Sequence, residues 1–206
     1  MKTRHLLFMG VLGIAAGAGW AQGLAGKSAV AQLLRTNACQ NCNLAQANLA
    51  GINLIGANLA GANLSGANLT SAAMIGADMR NAILNGASLS RANISGANLS
   101  GSQLAKINLD DAVASRANLH QATATGASFR RAKLEYANFE GAELKEANFE
   151  GADFYEARFL FAELANANFE GADLSAADFS DANMMDVRTD PKTTCPNFQA
   201  GPCKFK

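Results

Sequence analysis

The residues most capable of chemistry in this chain are its four cysteines, arranged as Cys39-Gln-Asn-Cys42 near the front and Cys195 with Cys203 near the back. A Cys-x-x-Cys pair can serve as a redox dithiol, two pairs together can hold zinc, and cysteines of an exported chain form disulfides, for which four allow three pairings. A redox reading of Cys39 and Cys42 lacks the βαβ setting that usually carries it, so a structural staple is the better expectation. Catalysis needs convergent acids, bases or nucleophiles, and the sequence offers few. Beyond the N-terminal segment the only histidine is His120. The glycines between Gly17 and Gly23 follow no strand, so they make no phosphate loop. No catalytic residue, cofactor or metal is expected.

Whatever positions these residues begins after a leader. Met1-Lys-Thr-Arg4 precedes an apolar run from Leu6 to Trp20, with small residues suited to cleavage after Ala18 or Ala21. Its length and polarity are those of a signal peptide, residues 1–21. A stable membrane anchor would need about 20 predominantly apolar residues, and Gly10, Gly13, Gly17 and Gly19 dilute this run.

From residue 42 to residue 186 the sequence repeats with a period of five. Large apolar centres fall at every fifth position from Leu44 to Met184, which makes 29 repeats: sixteen Leu, seven Phe, three Met, one Ile, and Ala at 114 and 124. Alanine stands two places before the centre in 25 of them, and glycine two places after it in 12. On a helix a period of five drifts around the axis, and on a straight strand an odd period alternates between faces. Only a backbone that turns a corner in every repeat keeps both residues inward, and Gly, Asn, Ser and Asp are corner residues. Four corners of about 90° would close a square coil of twenty residues, a closure that the Leu/Phe alternation from Phe129 to Phe179 permits without demanding.

Tandem Ala-(Asn/Asp)-(Leu/Phe)-X-X, as in Ala57-Asn-Leu-Ala-Gly61 and Ala147-Asn-Phe-Glu-Gly151, resembles the pentapeptide-repeat family. The resemblance implies an all-β right-handed quadrilateral β-helix of about seven coils with four repeats each. Side chains twenty apart would then stack, Leu49, Leu69, Leu89, Leu109, Phe129, Phe149 and Phe169 on one wall, with Phe139, Phe159 and Phe179 on the opposite one. A Leu-rich core gives way to a Phe-rich one. Ala114 and Ala124 interrupt it and mark a candidate soft point.

Coils about 4.8 Å apart would separate the two cysteine pairs by roughly 30 Å. That excludes cross-pairing and a shared zinc, since a disulfide needs Cα atoms within about 7 Å. The expected bridges are Cys39 with Cys42 and Cys195 with Cys203. Residues 22–41 read as an N-terminal cap, with a short helix over Ser28–Arg35, Ser28 as N-cap and Val30, Leu33 and Leu34 as its apolar face. Residues 187–206, with Pro191, Pro196 and Pro202, read as a stapled C-terminal lid. The entry segment from Gln32 to Leu44, and the tail from Thr194 to Cys203, are similar to the ends of family members exported in cyanobacteria. That resemblance implies a periplasmic or thylakoid-lumen location.

Charge is the informative surface feature. The chain is neutral overall, yet residues 135–186 hold thirteen acids against Lys145 and Arg158, while residues 44–134 hold three acids and seven bases. In the acidic half Tyr136, Tyr155, Leu160 and Phe161 fall at outward positions, beside Glu140, Glu150, Glu170, Asp153 and Asp173. These residues are the candidate surface for a protein partner. Three roles compete. An exported interaction or structural module comes first. The resemblance also implies a nucleic-acid mimic acting on a topoisomerase, which export and the basic first half disfavour, so nucleic acid is not the expected partner. A lumenal redox protein working through Cys39 and Cys42 is the third. End-to-end pairing of two solenoids is a further possibility, since such stacks have open ends.

Overall fold

The computed structural model describes residues 18–205, with side chains from residue 26 onward. The leader expected over residues 1–21 therefore lies, up to residue 17, outside the described residues.

Every repeat performs the same manoeuvre. The centre's carbonyl accepts the N–H three residues on, as in Ala57 N to Leu54 O at 3.0 Å, and closes a β-turn. The second residue after the centre takes a left-handed conformation at every repeat, from Gln46 at φ 60° to Asp186 at φ 54°. Glycine occupies many of these corners because it carries no Cβ penalty there. The residue before the centre, usually Asn or Asp, accepts the N–H two places on, as Asn63 Oδ1 does from Ser65 N at 3.0 Å. That local bond explains why short amides and carboxylates fill this position.

Between corners only about three residues are extended. Each wall therefore pairs with the next coil through single parallel bridges twenty residues apart, from Ala38 with Asn58 to Asn168 with Arg188. This corrects the all-β expectation. Among the described residues no run of consecutive pairs is long enough to make a strand, because the chain leaves the wall before a second residue can join the ladder. The four interleaved bridge series define four walls, named here by their inward centres. The first wall carries Leu49 to Phe169, the second Leu54 to Leu174, the third Leu59 to Phe179 and the fourth Leu44 to Met184. The bridges start at Ala38 and reach Thr194, so coiling extends beyond residues 42–186 at both ends.

Almost every Ala and large centre is buried, and the phenylalanines stack in register. Phe129, Phe149 and Phe169 stand 5.1 and 4.7 Å apart on the first wall. Phe139, Phe159 and Phe179 stand 4.8 and 4.7 Å apart, with nearly parallel rings, on the third. Rings on the two walls meet edge to face, as Phe129 meets Phe139 at 6.0 Å. Ala114 and Ala124 lie on the walls that flank the first ring, Phe129, so aromatic volume enters where two neighbouring centres are small.

Two caps close the ends. Helix α1 spans Ala18–Thr36, longer than the Ser28–Arg35 expected. Ser28 is thus an interior residue rather than an N-cap, since the helix runs on through the residues before it despite Gly19, Gly23 and Gly26. The buried face is Ala29 and Leu33 with Val30 beside them, whereas Leu34 is 61% exposed. Asn37, at φ 54°, ends the helix with its N–H on Leu33 O at 2.8 Å. Cys39 and Cys42 are disulfide-bonded at the first corner, with Cα atoms 5.3 Å apart.

At the other end one residue is inserted, so that Asp173 pairs with Thr194, and the chain then doubles back to pair Thr194 antiparallel with Ala200. The Cys195–Cys203 disulfide closes this hairpin, and Phe205 lies edge to face on Phe179 at 5.3 Å. Asp190 pins the lid, its carboxylate accepting Gly171 N at 2.8 Å and Thr193 N at 3.0 Å. The Gly171 N–H is the chief cause that holds this carboxyl below the usual range.

Candidate functional site

The solenoid interior is filled by side chains, so any function lies on the outer walls. The candidate surface residues divide among three of them. Tyr136, Tyr155, Asp153 and Asp173 share the second wall; Glu140, Leu160 and Phe161 stand on the third; Glu150 and Glu170 stand on the first. The structure therefore does not gather the nine into one patch. Glu140 pairs with Arg158 at 3.3 Å and Glu150 with Arg130 at 3.2 Å, which neutralises part of the acidic half.

The second-wall group does converge. Tyr136 and Tyr155 pack edge to face with centroids 5.7 Å apart, and the Arg116 guanidinium lies 5.4 Å above the Tyr136 ring. These rings edge a trough of about 700 Å³ lined also by Ser95, Gly96, Ser115, Glu135, Asp153 and Asp173. Small residues on the lower rungs leave the space, and bulkier ones on the upper rungs wall it. Ser115 Oγ donates to Glu135 at 2.6 Å, and Asp153 accepts Tyr155 N at 3.1 Å.

The electrostatics of the trough are unbalanced. Among the described residues, Glu135, Asp153 and Asp173 take part in no ion pair, as is true of most acids from residue 135 to residue 186, where Glu140, Glu150 and Glu163 are the paired ones. Burial pushes the Asp153 carboxyl above its ordinary range; the Tyr155 N–H pulls it back, the charges of Glu135 and Asp173 raise it further, and that of Lys133 lowers it. Arg116, Ser115 and Glu135 are not among the nine residues expected from the sequence to form the surface. The repeat register could have found two of them, since Arg116 is twenty residues before Tyr136 and Glu135 twenty before Tyr155.

Phe161 on the third wall is 58% exposed at a corner with φ 57°, and Tyr136 on the second is 45% exposed at φ 60°. Left-handed backbone costs a non-glycine residue about 1 kcal/mol or more, and most corners of the Leu-rich half avoid that with glycine. Every repeat has this left-handed corner, so what sets these two apart is a large exposed aromatic side chain where most corners carry glycine or a polar residue. Elsewhere chemistry is thin: no helix of the described residues is long and apolar enough to cross a membrane, and none of their His, Cys, Asp and Glu groups is placed to hold a metal.

A stack of near-identical coils with a filled interior and a decorated exterior is a repeat scaffold. The model of the family described as pentapeptide repeats matches in eight copies that together run from residue 39 to residue 188, and the chain belongs to that family. Among solved structures it is similar to HetL, a pentapeptide repeat protein involved in heterocyst differentiation regulation from the cyanobacterium Nostoc sp. strain PCC 7120. The two share 25% identity over 84% of this chain and 97% of that one, with a TM-score of 0.35. It is also similar to Rfr23 from the cyanobacterium Cyanothece 51142, at 23% identity over 82% and 98% of the two chains, TM-score 0.28. A pentapeptide repeat protein of the Arabidopsis thaliana thylakoid lumen shares 28% identity over 62% and 72%, TM-score 0.34. No curated protein matches the chain.

Proposed function

We propose that this protein is an exported, non-enzymatic scaffold that binds another protein through the aromatic and acidic residues of its second and third walls. The observation that carries the reading is the exposure of the large aromatic side chains of Phe161 and Tyr136 on outer corners, where no core demands an aromatic. Export to a periplasm or thylakoid lumen is supported by the signal-like residues 1–21 and by two closed disulfides, which persist in oxidising compartments. The topoisomerase reading draws less support from the surface, since basic residues such as Arg80, Arg91, Arg116 and Arg131 punctuate the walls, and a redox role for Cys39 and Cys42 draws less because Cys39 is fully buried.

Phe161→Gly separates binding from folding. Relief of left-handed strain, about 1 kcal/mol, is offset by the greater freedom of glycine in the unfolded chain, so stability should stay within about 1 kcal/mol of the parent. Affinity capture of the mature protein from its own periplasmic or lumenal extract should lose its principal partner in this variant. Equal recovery by parent and variant would remove Phe161 from the binding face, and the reading with it.

A further inference from the structure

The second-wall trough runs along the solenoid axis. Ser95, Ser115, Glu135 and Tyr155 stand on four successive rungs, so its floor extends about 15 Å at the spacing of paired strands. That is the length of four or five extended residues at about 3.3 Å each. Backbone groups of the wall are already paired from coil to coil, as Tyr136 N is with Tyr155 O at 2.9 Å, so an occupant cannot join as another strand. It must be held by side chains.

Charge selects which side chains. Three carboxylates face the trough without an ion pair, and the lining's one cation, Arg116, is stacked on Tyr136. Lys133, on the rung below Asp153, forms no ion pair with it, and its charge is the least of the influences on that carboxyl. An anionic or purely apolar occupant would leave these carboxylates crowded and uncompensated. A lysine or arginine satisfies both features, since its methylene stem packs on tyrosine while its charged head meets a carboxylate.

We propose that the trough lined by Tyr136, Tyr155, Glu135, Asp153 and Asp173 binds an extended segment of a partner protein through its lysine or arginine side chains. This rests on the scaffold reading and names the chemistry of its partner. The segment lies along the axis, with one basic head between Asp153 and Asp173, which are bridged rungs of the same ladder. Its stem rests against the Tyr155 ring. Ser95, Gly96 and Ser115 admit the rest of the chain.

The test uses a fluorescein-labelled, acetylated and amidated (Ala-Lys)₃ hexapeptide, its (Ala-Glu)₃ counterpart, and anisotropy with the full mature chain. Saturable binding of the lysine peptide alone is expected. Asp153→Asn with Asp173→Asn should weaken it at least tenfold, and folding should survive because Asn occupies the same repeat position at Asn138 and Asn148. Glu150→Gln with Glu170→Gln removes equal charge from the first wall and should change affinity less than twofold. No saturable binding, equal binding of the glutamate peptide, or equal weakening by both double variants would overturn the proposal. Partner capture dependent on Phe161 is a separate readout on another wall. If it persists while the peptide fails, the trough assignment falls and the scaffold reading stands.

Discussion

Phe149→Ala should cost about 3 to 5 kcal/mol of stability, the largest effect of any single substitution considered for this chain. Phe149 stacks on Phe129 and Phe169 and meets Phe139, Phe154 and Phe159 edge to face, with all five centroids within 6.4 Å. Its side chain is fully buried, so truncation removes both its transfer energy and the ring contacts of five neighbours. Coils above and below pair through single bridges, so local collapse onto the cavity would have to shift several corners at once. Denaturant unfolding of the purified mature protein should show the midpoint falling with the destabilisation, whereas Phe149→Leu should cost much less because leucine serves as centre on every wall. A cost below about 1 kcal/mol for the alanine variant would mean that the aromatic stack does not organise this half of the solenoid.

The second large effect concerns the lid. Replacing Cys195 and Cys203 together by serine should destabilise the protein by about 2 to 3 kcal/mol, the loop-closure contribution expected for a short loop. More follows than the lost crosslink. The hairpin that pairs Thr194 with Ala200 covers the last coil, and Phe205 seals Phe179, so loosening it uncovers unpaired wall edges and a ring face. Open ends of a solenoid invite end-to-end pairing. The double variant should accordingly show both a lower unfolding midpoint and concentration-dependent dimers in sedimentation velocity. A monomer with unchanged stability would show that Asp190 and Thr193 hold the lid without the disulfide.

Much of the architecture was legible because a five-residue period leaves so few alternatives. The ladders of Leu and Phe follow from counting in twenties, and Phe139 over Phe159 realises that count with rings within a few degrees of parallel. The site was less legible. Counting in twenties places Arg116 under Tyr136, but the contact between Tyr136 and Tyr155 spans nineteen residues, the offset of the backbone bond between them. Arg158 with Glu140 and Ser128 with Asp110 span eighteen, because side chains before and after a centre lean toward each other across coils. Such diagonals depend on corner geometry that residue types do not reveal. The helix was read short because Ser28 resembles a cap, although nothing before it stops a helix. The stapled lid was expected, but its pairing was not: one inserted residue shifts the partner of Asp173 to Thr194, and outside the repeat no pattern announces it.

The central claim is that the aromatic-acidic walls of this solenoid are a binding face, and site-specific photo-crosslinking tests it most directly. A benzophenone amino acid placed at position 161, and separately at position 91, probes two exposed left-handed corners in the acidic and basic halves respectively. Irradiation in the native compartment should yield a discrete protein adduct from position 161 and none from position 91. Adducts of equal yield from both positions, or from position 91 alone, would contradict the account.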